Sequence, residues 1–182
     1  KIGAHPGLSA AGGRGADLPG LEGFRALLQR QVSDFCTMAK DLGAQVESIK
    51  LHGSLYHAVE QDEAYAEVYR DFLQRFPRRL AVVSLAGGQL AAELGAAGIE
   101  VWPEGFVDRA YSVSGGLLAR SVRGAVLDTE AALEQFRQWR SSGRMPTVDG
   151  SSFSMEAMTF CVHGDSPNAL TILSGLRGSR GG

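Results

Sequence analysis

The chain has little of what would assign it to a specialised class. Cysteine occurs only twice in 182 residues, at Cys36 and Cys161. Two thiols without a CxxC partner make no disulfide framework, so a reduced, cytoplasmic setting is the expectation, with both thiols as small buried core residues. Acidic and basic side chains nearly balance, for a net charge of −2. That removes the electrostatic argument for nucleic acid or an anionic membrane surface as a partner. No apolar run approaches the roughly 20 residues of a membrane span, and no secretory-leader pattern opens the chain. There is no GxxxxGK[ST] phosphate loop and no HxH, HxxxH or HExxH spacing, so local sequence supplies no ready-made nucleotide or metal site. The first residue is Lys rather than Met and strand-like sequence follows at once, which reads as a chain cut from something longer.

What is present is an ordinary globular composition, 44% apolar and 21% charged, in a length suited to a single domain over residues 1–182. Strand-like runs fall near 2–5, 46–52, 80–85, 99–107 and 158–163, and amphipathic stretches near 21–42, 62–75, 88–97, 129–141 and 167–177. This alternation predicts βαβ units and a parallel sheet, an α/β fold. The run Leu80-Ala81-Val82-Val83-Ser84-Leu85 does not alternate apolar with polar, as expected of a strand covered on both faces. Gly43 reads as a helix stop, Pro77 as another, and Asp128 or Thr129 as a helix cap. Residues 8–20 read as a flexible Gly/Ala loop, residues 108–127 as an irregular or hairpin-like loop turning at Gly115-Gly116, and residues 175–182 as a flexible tail.

Three of the four histidines share one setting, an apolar run stopped by Gly or Pro-Gly: Ala4-His5-Pro6-Gly7, Leu51-His52-Gly53 and Val162-His163-Gly164. His57 does not share it. Such a setting reads as a strand entering a turn, and the carboxyl ends of parallel strands form the ligand face of β/α folds. An imidazole there can act as general base, metal ligand or oxyanion donor. Lys50 stands two residues before His52, the spacing that puts two side chains on one side of a strand; a Lys so placed either holds a phosphate or carboxylate or snorkels at the strand start. Asp108, Arg109 and Tyr111 close a further strand; Arg109 could fork to a carboxylate or phosphate, unless Asp108 and Arg109 only order the loop. Asp165 follows His163 and is either a catalytic carboxylate or, with Ser166, a helix cap. Gly87-Gly88 offers a weak anion site at a helix start.

Four segments in this order, His5-Pro6-Gly7 after Ile-Gly-Ala, Lys50-Leu51-His52-Gly53-Ser54-Leu55-Tyr56, Phe106-Val107-Asp108-Arg109-Ala110-Tyr111 and Cys161-Val162-His163-Gly164-Asp165, resemble the LamB/YcsF family. The resemblance implies a seven-stranded (β/α) barrel of the glycoside hydrolase/deacetylase-like type, here incomplete because the chain starts at what would be the third strand. It implies the A-subunit role in 5-oxoprolinase, which opens 5-oxo-L-proline to L-glutamate with ATP as co-substrate, alongside partner subunits B and C; a divalent cation such as Mg2+ is compatible with that chemistry. His5, His52, His163 and Asp165 are then the catalytic candidates, and Lys50, Asp108, Arg109 and Tyr111 the substrate- or phosphate-binding ones. Leu51 stands where the family usually has Pro, and Ala10-Ala11-Gly12-Gly13-Arg14-Gly15 is plainer than the family's loop. Two other readings compete: a non-catalytic barrel acting as a binding or scaffold subunit, and a metal-dependent deacetylase or amidohydrolase.

Overall fold

A computed structural model of the chain describes residues 1–9 and 17–178. The described residues divide into two compact units, Lys1–Trp102 and Pro103–Gly182, the latter followed to residue 178. Most of the expected loop 8–20, with Ala10 to Gly15, lies outside the described residues, as do residues 179–182.

The first unit opens with β1 (Ile2–Ala4), α1 (Leu21–Asp41), β2 (Val46–Ile49) and α2 (Ser54–Gln61). It continues with α3 (Glu63–Arg75), β3 (Ala81–Leu85) and α4 (Gln89–Ala96). Strand β1 pairs parallel with β2, and β2 with β3. Gly3 permits the first pairing, because a Cβ there would stand 2.4 Å from Ser48 Oγ. Helix α1 turns Phe24, Leu28 and Val32 inward at i, i+4, i+8, all fully buried, the stripe expected of a helix with one apolar face. It ends where expected: Gly43, the residue after the cap, has φ +71° and tolerates the left-handed turn that stops a helix. Helix α3 ends with Phe76 in extended backbone ahead of Pro77, since the residue before proline disfavours helical geometry.

β4 (Val101–Phe106) begins in the first unit and ends in the second. The second unit adds α5 (Thr129–Ser142), the antiparallel pair β5 (Arg144–Pro146) and β6 (Ser152–Ser154), then β7 (Thr159–Cys161) and α6 (Ala169–Gly178). β7 pairs parallel with β4, Gly105 opposite Phe160, and a Cβ on Gly105 would fall 2.5 Å from the Phe160 ring. Asp128 caps α5 through its carboxylate, accepting from Ala131 N–H at 2.9 Å. Val107, Ala132 and Ile172 form the buried centre of this unit, and Phe160 packs edge-on to Phe136 at 5.1 Å.

The strand order β1-β2-β3-β4-β7 follows the chain without reversal. A doubly wound sheet would change direction part-way; sequential order is that of a β/α barrel with strands missing, as expected. All five expected strands form, each shorter at one end or both. Helix α2 and the pair β5–β6 were not anticipated, and residues 175–178 of the expected tail belong to α6. Loop 108–127 is irregular as expected, with isolated antiparallel bridges at Arg109–Val126 and Tyr111–Leu117. Neither cysteine is in a disulfide, and both are half-buried rather than buried. No described helix is long and apolar enough to cross a membrane.

Leu28→Ala removes a fully buried side chain and is expected to lower stability by about 2–5 kcal/mol, read by urea unfolding. Tyr69 is 1% exposed, and its hydroxyl has no hydrogen-bond partner among the described residues. Tyr69→Phe is therefore expected to leave the unfolding midpoint unchanged or raise it.

Candidate functional site

Strand β2 stops at Ile49, so Lys50 and His52 lie in the turn beyond it and strand alternation does not govern them, contrary to expectation. Pairing to the β1 side nevertheless continues: Lys50 N–H donates to Ala4 C=O at 3.0 Å and His52 N–H to Pro6 C=O at 2.9 Å. This brings His5 and His52 side by side. Gly53, at φ +58°, ψ −127°, then reverses the chain into α2, a conformation that glycine alone adopts easily. Gly7 lets the first turn close on the second, since a Cβ there would stand 2.8 Å from His52 Cβ. Gln31 of α1 clamps Gly7 with both ends of its amide, accepting from Gly7 N–H at 3.0 Å and donating to Gly7 C=O at 2.9 Å.

The protons of the histidine pair follow from its partners. His5 Nδ1 lies 2.7 Å from Lys50 C=O, which only accepts, so Nδ1 carries the hydrogen. His5 Nε2 is then the acceptor for His52 Nδ1–H at 2.9 Å, and the lone pair of His52 sits on Nε2. Burial lowers the pKa of His5; the charges of His52 and Lys50 lower it further, against the raising effect of Lys50 C=O. His5 counts as exposed by surface area, yet enough protein crowds its ring for burial to lead. Burial thus favours the neutral form of His5 in this arrangement. Lys50 Nζ stands 5.7 Å from the centre of the Tyr56 ring.

In the second unit the same device recurs. Val107 N–H donates to Cys161 C=O at 3.0 Å, one step past the β4–β7 ladder. The next step brings Asp108 to His163. Asp108 Oδ2 accepts the backbone N–H of His163 at 3.0 Å, and the carboxylate takes the ring Nδ1–H at 2.9 and 3.1 Å. Asp108 is 1% exposed, and the His163 ring stacks on Phe106 at 5.5 Å and 17°. An acceptor at Nδ1 fixes the hydrogen there and leaves Nε2 as the basic nitrogen, with a buried anion ready to stabilise the imidazolium. Burial alone would raise the pKa of Asp108; the hydrogen bonds and charge of His163 outweigh it and hold the carboxyl below its ordinary value.

The remaining expected residues lie in the loops around this pair. Arg109 is buried and donates to the carbonyls of Ala125, at 3.1 Å, and Leu118, bonds that order the loop through its backbone. Tyr111 is fully buried and its Oη accepts Phe106 N–H at 2.7 Å; burial pushes its phenol pKa up. Asp108 likewise meets His163 rather than solvent. Asp165 caps no helix, because α6 starts at Ala169; it is exposed, 3.6 Å from Arg120. The amides of Gln31 and of Gln135, whose Nε2 donates to Phe106, Val107 and Arg109 carbonyls at 3.1, 3.2 and 2.9 Å, were not singled out. Their one sequence signal is a polar residue on the apolar stripe of a helix.

Gly87-Gly88 is no anion site. Glu60 already lies there, accepting Ser84 Oγ–H at 2.9 Å and Leu90 N–H at 3.4 Å, against a Gly88 whose Cβ would overlap the carboxylate. Burial, aided by Glu93, raises the Glu60 pKa against those hydrogen bonds. The adjoining cavity of about 150 Å³ is lined by Glu60, Asp62, Glu63 and Glu93, a setting that repels phosphate. No group of three or more metal-ligating His, Cys, Asp or Glu side chains occurs among the described residues.

The depressed Asp108 pKa stabilises the fold above the unfolded-state value, and that contribution is lost as pH falls through the folded one. Acid unfolding of the wild type is expected to include this loss below the ordinary value of 3.8. Asp108→Asn is expected to be less stable at pH 7 by about 1–3 kcal/mol and to show a shallower fall in stability on acidification, measured by urea unfolding across pH.

The LamB/YcsF family model matches residues 1–179, the family whose motifs the sequence resembles. The 5-oxoprolinase A subunit of Acinetobacter baumannii (strain ACICU) is 34% identical over 180 residues, covering 97% of this chain and 70% of that protein. The protein of the same name from Pyrococcus furiosus is 35% identical over 183 residues, covering 97% and 71%. The crystal structure of a lactam utilization protein from Thermus thermophilus matches at a TM-score of 0.85 and 28% identity, covering 98% of this chain and 74% of that one.

Proposed function

Because the chain belongs to the LamB/YcsF family, we propose that it works as the A-type subunit of a 5-oxoprolinase and supplies proton-transfer groups for opening a cyclic amide. The observation that carries this reading is the Asp108–His163 dyad. An amide is a poor electrophile, and its opening needs an activated carbonyl and a deprotonated water. In the proposed reaction ATP phosphorylates the lactam oxygen of 5-oxo-L-proline. Water then attacks the activated carbon and the ring C–N bond breaks, the nitrogen leaving with a proton, to give an acyl phosphate; a second water hydrolyses this to L-glutamate and phosphate.

His163 Nε2 is the base that takes the proton from water, and Asp108 holds the ring and offsets the imidazolium charge. Asp165 remains a candidate acceptor for that water. In the first unit, His52 Nε2 is a second base. A proton taken there moves the Nδ1 hydrogen of His52 on to His5, whose own hydrogen bond to Lys50 C=O is already made. Lys50 is the candidate cation for the substrate carboxylate or a phosphoryl oxygen. The A-subunit name borne by the relatives supports work in an assembly; we assign ATP binding and phosphoryl transfer to partner subunits B and C, in keeping with the Glu60 carboxylate at Gly87-Gly88.

The test is 5-oxoproline-dependent ADP release by the chain with candidate B and C subunits. Turnover is expected only with all components. His163→Ala is expected to lower kcat by about 10²–10⁴-fold, the usual worth of a general base. Undiminished turnover in that variant removes the assigned role.

A further inference from the structure

Gln135 is a buried primary amide on a helix that otherwise packs by apolar side chains, with Ala132 on the same face fully buried. A buried amide must be hydrogen-bonded to be tolerated, and a hydrocarbon of the same size would fill the space without that demand. All three of its hydrogen bonds go to the turn that carries Asp108: the carbonyls of Phe106, Val107 and Arg109 accept from the single Nε2. The fourth carbonyl of the turn, that of Asp108, accepts Leu127 N–H at 3.0 Å. Every backbone carbonyl from 106 to 109 is therefore held. So are the two parts that address the His163 ring, the Asp108 carboxylate at Nδ1 and the Phe106 ring beneath it.

We infer that Gln135 is a positioning residue for the Asp108–His163 pair: its amide holds the 106–109 turn so that the carboxylate meets Nδ1–H and Nε2 is left as the base. Two hydrogens serving three carbonyls fix the turn from one point. Without them the carbonyls repel one another and lose their buried donor, and the carboxylate drifts off the ring. His163 then loses what selects its tautomer, because the nitrogen that carries the hydrogen is set by the partner of the other. This inference rests on the proposed role of His163 only for its effect on turnover.

The direct readout is the tautomer of neutral His163, from imidazole 15N shifts in the isolated chain at alkaline pH. The wild type is expected in the Nδ1–H form. Gln135→Met, close in size but without donors, is expected to cut that form to less than half, as is Asp108→Ala. Gln135→Asn, which keeps an amide but is one methylene short, is expected to do the same and serves where the Met variant does not fold. In the full assembly kcat is expected to fall about tenfold, the lower end for a residue that orients another, with KM little changed. A folded Gln135 variant that is less stable but keeps His163 in the Nδ1–H form overturns the inference, and loss of folding in both variants counts against it as a purely structural role. A tautomer shift in an assembly that never opens the lactam leaves the inference standing and removes the proposed function alone.

Discussion

Both candidate sites depend on parallel backbone pairing that continues past the ends of the strands. Lys50 and His52 donate to Ala4 and Pro6 beyond the β1–β2 ladder, and Val107 donates to Cys161 beyond β4–β7. Each extra rung carries the register into the turn, where side chains rather than backbone become the next partners. At His163 the change happens within one residue: its own N–H and its ring both bind the Asp108 carboxylate. A slip of one residue in either ladder would break these pairings and separate the side chains they bring together. Register is thus the quantity on which the chemistry rests, and close contacts at Gly3 and Gly105 help to hold it.

The turns past the strands bring backbone groups into the interior, and buried backbone groups must be paired. Two helices meet this need in the same way. Gln31 of α1 satisfies both groups of Gly7, and Gln135 of α5 satisfies three carbonyls around Asp108. Arg109 and Tyr111 add to the second case by binding backbone rather than ligand. The groups proposed to act are His163, the His5–His52 pair, Lys50 and Asp165.

Much of the fold was legible in the sequence. The strand and helix alternation, the Gly43 stop, the Pro77 stop and the Asp128 cap each follow from local spacing and backbone chemistry, and each forms. The family resemblance, carried by four separated segments, agrees with the match over residues 1–179 and with the lactam utilization protein fold. Strand ends were overextended, because Lys50, Leu51 and His52 continue an apolar pattern into a turn. Gly87-Gly88 looked open to an anion because a helix start in sequence gives no sign of a carboxylate arriving from α2, 30 residues from Leu90.

The sequence by itself determined which residues were available for chemistry, His5, Lys50, His52, Asp108 and His163, and that they would fall near strand ends. Those properties are local: burial repeats every second residue in a strand and every 3.6 in a helix, and glycine marks where the pattern stops. Tertiary structure alone decided that Asp108 faces His163, 55 positions away, that Arg109 and Tyr111 turn inward, and that Gln135 reaches the turn between them. The physical reason is that a hydrogen bond between distant residues is set by the register of one strand against another and by the reach of a helix across it, and no local pattern encodes either.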